Sequence, residues 1–365
     1  MSAIPVPEVR ISADKLHVYV RRIFESAGSL AREAELVADH LIAANLAGHD
    51  SHGVGMIPRY VAALGLQELQ LNAHARVVRD FGAVLTVEGG RGLGQVIAHE
   101  AMAHGIERAR KLGIAAVGLR DSHHIGRIGH WAEQCARAGL ASFHFVNVAG
   151  DAFVAPLGGM DRRFGTNPFC AAFPRAGQPP LVLDFATSGI AFGKTRVAYN
   201  KGETVGPGNL IDHTGRPSIE PKVMHEPPFG ALLPFGGHKG SGLAVMCEIL
   251  AGAMAGGVTT HERTLVTGSG IINGMMSVIV DPQAFDAPDA QAETEAFVEW
   301  IRATRLAPDG DPIQLPGEPE RRRQTERALH GIPVDATTWE QIRCAALTAG
   351  MPPEEVGRRT VDYAD

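Results

Sequence analysis

The stretch from Ala83 to Val148, AVLTVEGGRGLGQVIAHEAMAHGIERARKLGIAAVGLRDSHHIGRIGHWAEQCARAGLASFHFVNV, decides the fold class. Ala83 to Val87 is a short strand-forming run, and Gly89 to Gly94 is a turn. From Gln95 to Leu112, apolar Val96, Ile97, Ala101, Met102 and Ile106 recur at helical spacing. Ile114 to Leu119 reads as a buried strand, Asp121 to Gly129 as a loop, His130 to Ala138 as a helix and Ala141 to Val148 as a third strand. Strands alternating with helices predict an α/β sheet with crossover connections.

Working outward, Ser12 to Ala47 reads as two helices, with Ser12 and Ser29 as candidate N-caps and Gly28 as the break. The glycine-rich turn from Gly48 to Gly55 follows, then a helix from Ile57 to Leu66. Further on, Leu181 to Asp184 and Met276 to Val280 are strands, Gly240 to Ala255 a long helix, and Glu293 to Arg302 a shorter one. Helices from Glu320 to Leu329 and Trp339 to Leu347 close the chain. Amphipathic helices at both ends must bury their apolar faces, and each other is the nearest surface. Residues 1–74 with 318–365 are therefore expected to form a helical subdomain. Residues 75–317 form the α/β domain.

Composition excludes several function classes. The chain has 365 residues, 45% of them hydrophobic, which rules out wholesale disorder. Its 34 Lys+Arg against 40 Asp+Glu give a net charge of −6, so no basic nucleic-acid groove or polybasic membrane face is expected. The apolar stretch from Gly240 to Val258 contains Glu248 and several Gly, and reads as a packed helix, not a membrane span. Cys135, Cys170, Cys247 and Cys344 form no C-x-x-C pair and read as thiols of a reduced compartment. The N-terminus lacks an apolar secretory core. A cytoplasmic enzyme is the expectation.

Gly90-Arg91-Gly92-Leu93-Gly94 sits where a dinucleotide fingerprint would, between strand and helix, but its spacing is one residue short. It reads as a turn. The histidines are more informative. Ser51-His52-Gly53 and Ser122-His123-His124-Ile125-Gly126-Arg127-Ile128-Gly129-His130 place four His in or beside two glycine-containing loops. Imidazole exchanges protons near neutral pH. These histidines could act in acid–base chemistry or ligand contact, could satisfy loop backbone groups, or could bind zinc, for which no carboxylate or Cys set accompanies them.

Six ordered segments, AANLAGHDSHGVGMIPRY, SHHIGRIGHWAEQCA, RFGTNPFCAAFP, LVLDFATSGIAFGKTRVA, GGHKGSGLAVMCEIL and LPGE, resemble the malate/L-lactate dehydrogenase family of NAD(P)-dependent oxidoreductases. The likeness runs from about Ile11 to Val356. It implies a non-Rossmann nicotinamide-binding α/β fold, a homodimer, and hydride transfer at C2 of a 2-oxo or 2-hydroxy acid. The cofactor implied is NAD or NADP. No extra cation for a 2′-phosphate can be placed from the sequence, and NAD is favoured. The resemblance makes His52 the proton donor in reduction and a cofactor contact. Ser51 is placed to orient it, and Arg59 with His124 to take the substrate carboxylate. It assigns cofactor contacts to Gly126, Arg127 and Ile128, to Val182, Leu183, Asp184, Phe185 and Ala186, to His238 and Lys239, to Asn273, and to Gly317 and Glu318. Arg127 could meet a phosphate bidentately, and Asp184 could take ribose hydroxyls. Gly165-Thr166-Asn167-Pro168 is a signature that reads as a structural turn. No metal is implied.

One departure bears on substrate. Many members carry Arg four residues after the S-H-G histidine; here the position is Met56. A thioether suits a larger or aromatic 2-oxo acid better than a small dicarboxylate. The family also holds malate, lactate and ureidoglycolate dehydrogenases and a cyclic imine reductase, so those substrates remain open.

Overall fold

The computed structural model describes residues 8–265 and 268–356. Residues 1–7 and 357–365, assigned above to the helical subdomain, lie outside the described residues. In chain order come β1 (Glu8–Ile11), α1 (Ala13–Ser26), α2 (Ala31–Leu46) and α3 (Ile57–Gly65), then β2 (Arg76–Phe81), β3 (Val84–Glu88), α4 (Gly94–Leu112) and β4 (Ile114–Ser122). Next are α5 (Gly129–Arg137), β5 (Ala141–Ala149), β6 (Phe169–Arg175), β7 (Gln178–Phe185) and α6 (Phe192–Lys201). The short strands β8 (Leu210–Ile211), β9 (Pro217–Ser218) and β10 (Ala231–Leu232) precede α7 (His238–Cys247). Then follow β11 (Ile272–Val280), α8 (Ala290–Arg302), α9 (Glu318–His330), β12 (Ile332–Asp335), α10 (Ala336–Thr348) and α11 (Pro353–Val356).

The expected strand–helix–strand alternation is present, in a mixed sheet. Seven strands lie in the order β2-β3-β4-β11-β5-β6-β7. Only β3 and β4 pair in parallel, across α4; β11 inserts between β4 and β5, antiparallel to both. The sheet's core joins Leu85, Val87, Val117, Leu119 and Val146 to Ile97, Met102 and Trp131 of the covering helices α4 and α5.

A second core draws on both ends of the chain. Leu16, Val20, Ile23 and Phe24 of α1 and Val37 and Leu41 of α2 pack with Ile57 and Tyr60 of α3, and with Ile332, Ile342 and Met351 near the C-terminus. The ends are also stitched by strands: β1 pairs antiparallel with β12, Ile11 opposite Ile332. That ribbon escapes a periodicity search because four residues are too few to show alternation. The strand β2 escapes it because all six of its residues are exposed.

Two expected caps are absent. Ser12 makes no side-chain cap bond, and α2 has Leu30 at its N-cap. Ser29 instead donates to the buried Glu33 carboxylate at 2.7 Å. The long helix expected from Gly240 to Ala255 is α7 followed by a wider π-helical segment, Glu248–Met254. The wider segment opens on buried Glu248. Its carboxylate accepts from Asn167 Nδ2 (2.9 Å), Asn147 Nδ2 (3.3 Å) and the Thr260 amide (2.8 Å). Asn167 in turn accepts from the Val148 amide at 3.1 Å, and Asn147 from the Gly274 amide at 3.1 Å. The Gly165–Pro168 signature thus ties helix to sheet.

Cutting one member of this network strands buried polar partners. Asn167→Ala should lower unfolding free energy by about 1–3 kcal/mol in urea denaturation. An unchanged urea midpoint would show the network to be dispensable.

Candidate active site

The turn after α2 is built by its own side chains. Asn45, near the helix end, accepts from the Val54 amide at 2.8 Å and donates to Asp50 Oδ1 at 2.6 Å. Arg327 of α9 closes on Asp50 through both terminal nitrogens, at 2.6 and 3.0 Å. Gly53 is needed because a Cβ there would lie 2.1 Å from Asn45 Oδ1. These contacts fix His52 in a short helical turn, Asp50–His52.

The loop after β4 is held residue by residue. The His123 amide bonds Gly92 O at 3.1 Å, so the Gly90–Gly94 turn supports the histidine loop from below. The Ile125 amide bonds Asn273 Oδ1 (3.0 Å), and the Ile125 carbonyl accepts from Trp131 Nε1 (3.0 Å). The Arg127 amide bonds His40 Nε2 at 2.9 Å. Gly126 has φ +72°, and a Cβ there would lie 2.0 Å from that nitrogen. The Gly129 amide, at the start of α5, bonds Asp184 Oδ2 at 2.9 Å.

These two loops bring His52 and His124 together. His52 Nδ1 lies 3.2 Å from His124 Nε2, the rings stacked with centroids 5.3 Å apart. Tyr60 OH lies 2.5 Å from His124 Nδ1, and Gln95 Nε2 donates to Tyr60 OH at 2.9 Å. The pattern sets the tautomers. Tyr60 receives hydrogen from Gln95, so its one proton goes to His124 Nδ1. His124 then carries hydrogen on Nε2 and donates to His52 Nδ1, leaving the proton of neutral His52 on Nε2. That nitrogen has no partner among the described residues, and this polarity suits a donor to a carbonyl oxygen. Reversing every bond puts hydrogen on Nδ1 and a lone pair on Nε2, the polarity of a base. Gln95 Oε1, buried and unpartnered, is then available to Tyr60.

Burial governs the protonation of this line. Desolvation, with the charges of His49 and Arg127 adding to it, takes His52 down to about 4. Burial drives His124 well below its ordinary value and His123 to about 3, and it pushes the Tyr60 hydroxyl up. The second loop histidine, His123, accepts from the Ile271 amide at 3.2 Å.

Other expected residues sit as follows. Ser51 lies against Gly193 at the start of α6. Arg59 spends Nη2 on Asp151 (2.7 Å) and Gly270 O (3.3 Å), and Nε on Ser269 O (2.8 Å). The same loop is held by Glu68, which accepts the Ser269 and Gly270 amides at 2.8 and 2.7 Å. Met56 is half-buried against the helical core.

Arg127 does not offer its guanidinium to a phosphate: it is 2% exposed and paired with Glu133 and Asp184. Asp184 caps α5 and faces that arginine; burial holds its carboxyl above the usual range. Asn273 is buried, with its amide used by Ile125 and by Asn147 O. Sequence reasoning missed Tyr60, Gln95 and His40. Tyr60 and His40 lie at helical core spacing, which hides a polar role.

The remaining cofactor candidates form one rim. The Val182 amide bonds Pro316 O at 3.3 Å, bringing Val182–Phe185 beside Gly317 and Glu318. The Phe185 ring meets Phe235 at 5.2 Å, bringing the same strand end to the turn before His238 and Lys239, both exposed. Gly126–Ile128 joins through the Arg127–Asp184 pair.

The malate/L-lactate dehydrogenase family matches residues 11–343. The chain belongs to this family. It is 57% identical over 346 residues to hydroxycarboxylate dehydrogenase B of Escherichia coli (strain K12), covering 94% of this chain and 96% of that one. It is 38% identical to L-lactate dehydrogenase of Cupriavidus necator, covering 94% and 99%. A solved E. coli structure described as a malate/lactate dehydrogenase superposes with TM-score 0.95 at 55% identity, covering 98% and 100%. Family relatives at 30–32% identity carry malate, sulfolactate and Δ1-pyrroline-2-carboxylate reductase names. The chain is a dehydrogenase of this family, and its hydroxycarboxylate-type relatives share its mixed α/β architecture.

The buried neutral histidines make stability depend on acid. In the folded protein His52 titrates near 4 and His123, His130 and His144 near 3, against about 6.5 unfolded. Below pH 6.5 the unfolded chain binds more protons, so stability is full above that pH and lost as pH falls toward 4. Calorimetry should show Tm falling steadily from pH 6.5 to 4. A flat Tm would contradict the neutral assignment.

Proposed function

We propose that this protein interconverts 2-oxo and 2-hydroxy carboxylic acids with NAD or NADP, NAD favoured, and that His52 exchanges the proton. The observation that carries this reading is the line Gln95–Tyr60–His124–His52, ending on an imidazole nitrogen without a partner among the described residues. Reducing a carbonyl places negative charge on its oxygen, and a positioned N–H neutralises it.

A nicotinamide ring bound at this site supplies or takes the hydride. The rim formed by Gly126–Ile128, Val182–Ala186, His238–Lys239 and Gly317–Glu318 fits such a cofactor. It combines two exposed basic side chains at the start of α7, the positive-φ glycines Gly126, Gly237 and Gly317, and apolar Leu183. Arg127, Asp184 and Asn273 serve it by fixing the loop and strand end. In oxidation the line runs in its reversed polarity: neutral His52, with Nδ1–H directed to His124, takes the hydroxyl proton on Nε2. In reduction, the doubly protonated ring gives its Nε2 proton to the nascent alkoxide. His124 keeps the ring oriented, and Ser51 shapes the turn beneath it.

The stacked pair Phe153–Phe192, centroids 4.2 Å apart, lies at the helix that contacts Ser51 and supports a preference for larger or aromatic 2-oxo acids. Two parts are proposed, a helical subdomain (1–74 with 318–365) and a cofactor- and substrate-binding α/β domain (75–317), with the line from Gln95 to His52 crossing between them. A homodimer is supported by an apolar row, Phe143–Ala171–Leu183, running across β5, β6 and β7, with both Phe143 and Leu183 44% exposed. A cytoplasmic setting is supported by buried free Cys135, Cys170 and Cys247.

His52→Asn should lower kcat by about 10²–10⁴-fold while cofactor binding persists. The pH profile is the sharper test. His52 needs to be neutral for oxidation, so kcat/KM for a 2-hydroxy acid should be flat from pH 5.5 to 8. Reduction needs the protonated ring, so its kcat/KM should fall about tenfold per pH unit over the same range. A rising oxidation limb centred at or above pH 6.5 would contradict the assignment. Sedimentation at micromolar concentration should give a dimer mass; a monomer would overturn the dimer proposal.

A further inference from the structure

The proposed reaction needs a cation for the substrate carboxylate, and the residues expected to supply it are otherwise engaged. Position 56 is Met. Arg59 already has Asp151, Arg127 has Glu133 and Asp184, and Arg327 has Asp50. Arg323 lays its side-chain stem against Gly48, at the opposite end of the S-H-G turn from Gly55.

Helix α6 brings a further guanidinium to that turn. Its start is pressed onto Ser51: a Cβ on Gly193 would lie 2.6 Å from Ser51 Cβ. Phe192 stacks on Phe153, and Thr195 Oγ1 bonds His225 Nε2 at 3.0 Å and Phe192 O at 2.7 Å. These contacts seat the first turn of α6 beside the segment that carries His52. Arg196 follows. It is exposed, and its Nη2 lies 3.9 Å from where a Cβ on Gly55 would stand. Gly55 is three residues beyond His52 and adjoins Met56. No ion pair or hydrogen bond to a described residue engages Arg196.

We propose that Arg196 binds the carboxylate of the 2-oxo acid, so that α6, not α3, supplies the guanidinium. The proposal rests on the 2-oxo acid reading above. A guanidinium meets a carboxylate through two parallel hydrogen bonds, and an uncommitted, hydrated arginine at the mouth of a site loses no internal partner in doing so. With the carboxylate held by Arg196 and the carbonyl oxygen by His52, the acid spans the gap between α6 and the S-H-G turn. The Phe153–Phe192 stack then lies beside its remaining side chain.

The test is steady-state kinetics of Arg196→Leu and Arg196→Lys. Pyruvate, oxaloacetate, phenylpyruvate and phenylpyruvamide would serve as substrates, with the cofactor that the wild type accepts. Arg196→Leu should raise KM for all three acids by about 10–100-fold. It should also abolish the preference for phenylpyruvate over its amide, and leave the cofactor KM and Tm at wild-type values. Arg196→Lys should recover part of the loss. Unchanged KM for the acids would overturn the proposal. So would an effect confined to oxaloacetate, which would place Arg196 at the far end of the substrate, or a parallel rise in cofactor KM with a lower Tm, which would mark a structural role. Wild-type enzyme inert toward every 2-oxo acid would overturn the underlying reading and this assignment together; wild-type activity with an unaltered variant overturns this assignment alone.

Discussion

Tyr60 has a single proton to give, and the site is arranged around where it goes. Gln95 occupies the hydroxyl as a donor, so the proton is directed to His124, and His124 directs its own to His52. Four elements of distant sequence position meet in this line: α3, α4, the loop after β4 and the turn after α2. Most of the unusual local structure nearby keeps these four in register. Asn45 builds the His52 turn, His40 receives the Arg127 amide, and Asn273 receives the Ile125 amide. Both histidine loops thereby lose conformational freedom before any substrate arrives, and such preorganisation is what makes a proton donor effective.

The line is costly in acid and useful near neutrality. Burying several imidazoles disfavours their charged forms, so the rings sit neutral and their hydrogen bonds are directional. A neutral ring can donate from one nitrogen and accept at the other, which an imidazolium cannot do. Charges close by are kept out of the line by pairing elsewhere: Arg127 with Glu133 and Asp184, Arg59 with Asp151. The arginines that sequence motifs nominate for ligand binding are thus largely occupied in holding loops. That leaves ligand charge to be met by exposed cations on the neighbouring helices.

Much of this was legible in the sequence. Helical periodicity marks α1 to α5 and α8 to α10 within a few residues, and the glycine-containing histidine loops stand out in the sequence. What escaped has physical causes. The strands β1 and β12 are each four residues long and are stabilised by pairing with one another, a contact between the two ends of the chain that no local window contains. Ser12 stands at its N-cap without a side-chain cap bond, and Ser29 stands one residue before the N-cap Leu30 and donates to buried Glu33 instead. The π-helical segment opens on buried Glu248, whose partners Asn147 and Asn167 lie 101 and 81 residues earlier in the chain, outside any local window. Tyr60 and Gln95 look like core and surface residues of amphipathic helices, and only the fold shows that they complete the line to His52.

The most direct test is nitrogen-15 NMR of the His52 imidazole in the intact protein, followed from pH 8 to pH 4. The account predicts a neutral ring protonated on Nε2 at pH 7, titrating near 4, with Tyr60→Phe shifting the tautomer balance. A ring titrating near 6.5 and indifferent to Tyr60→Phe would contradict it.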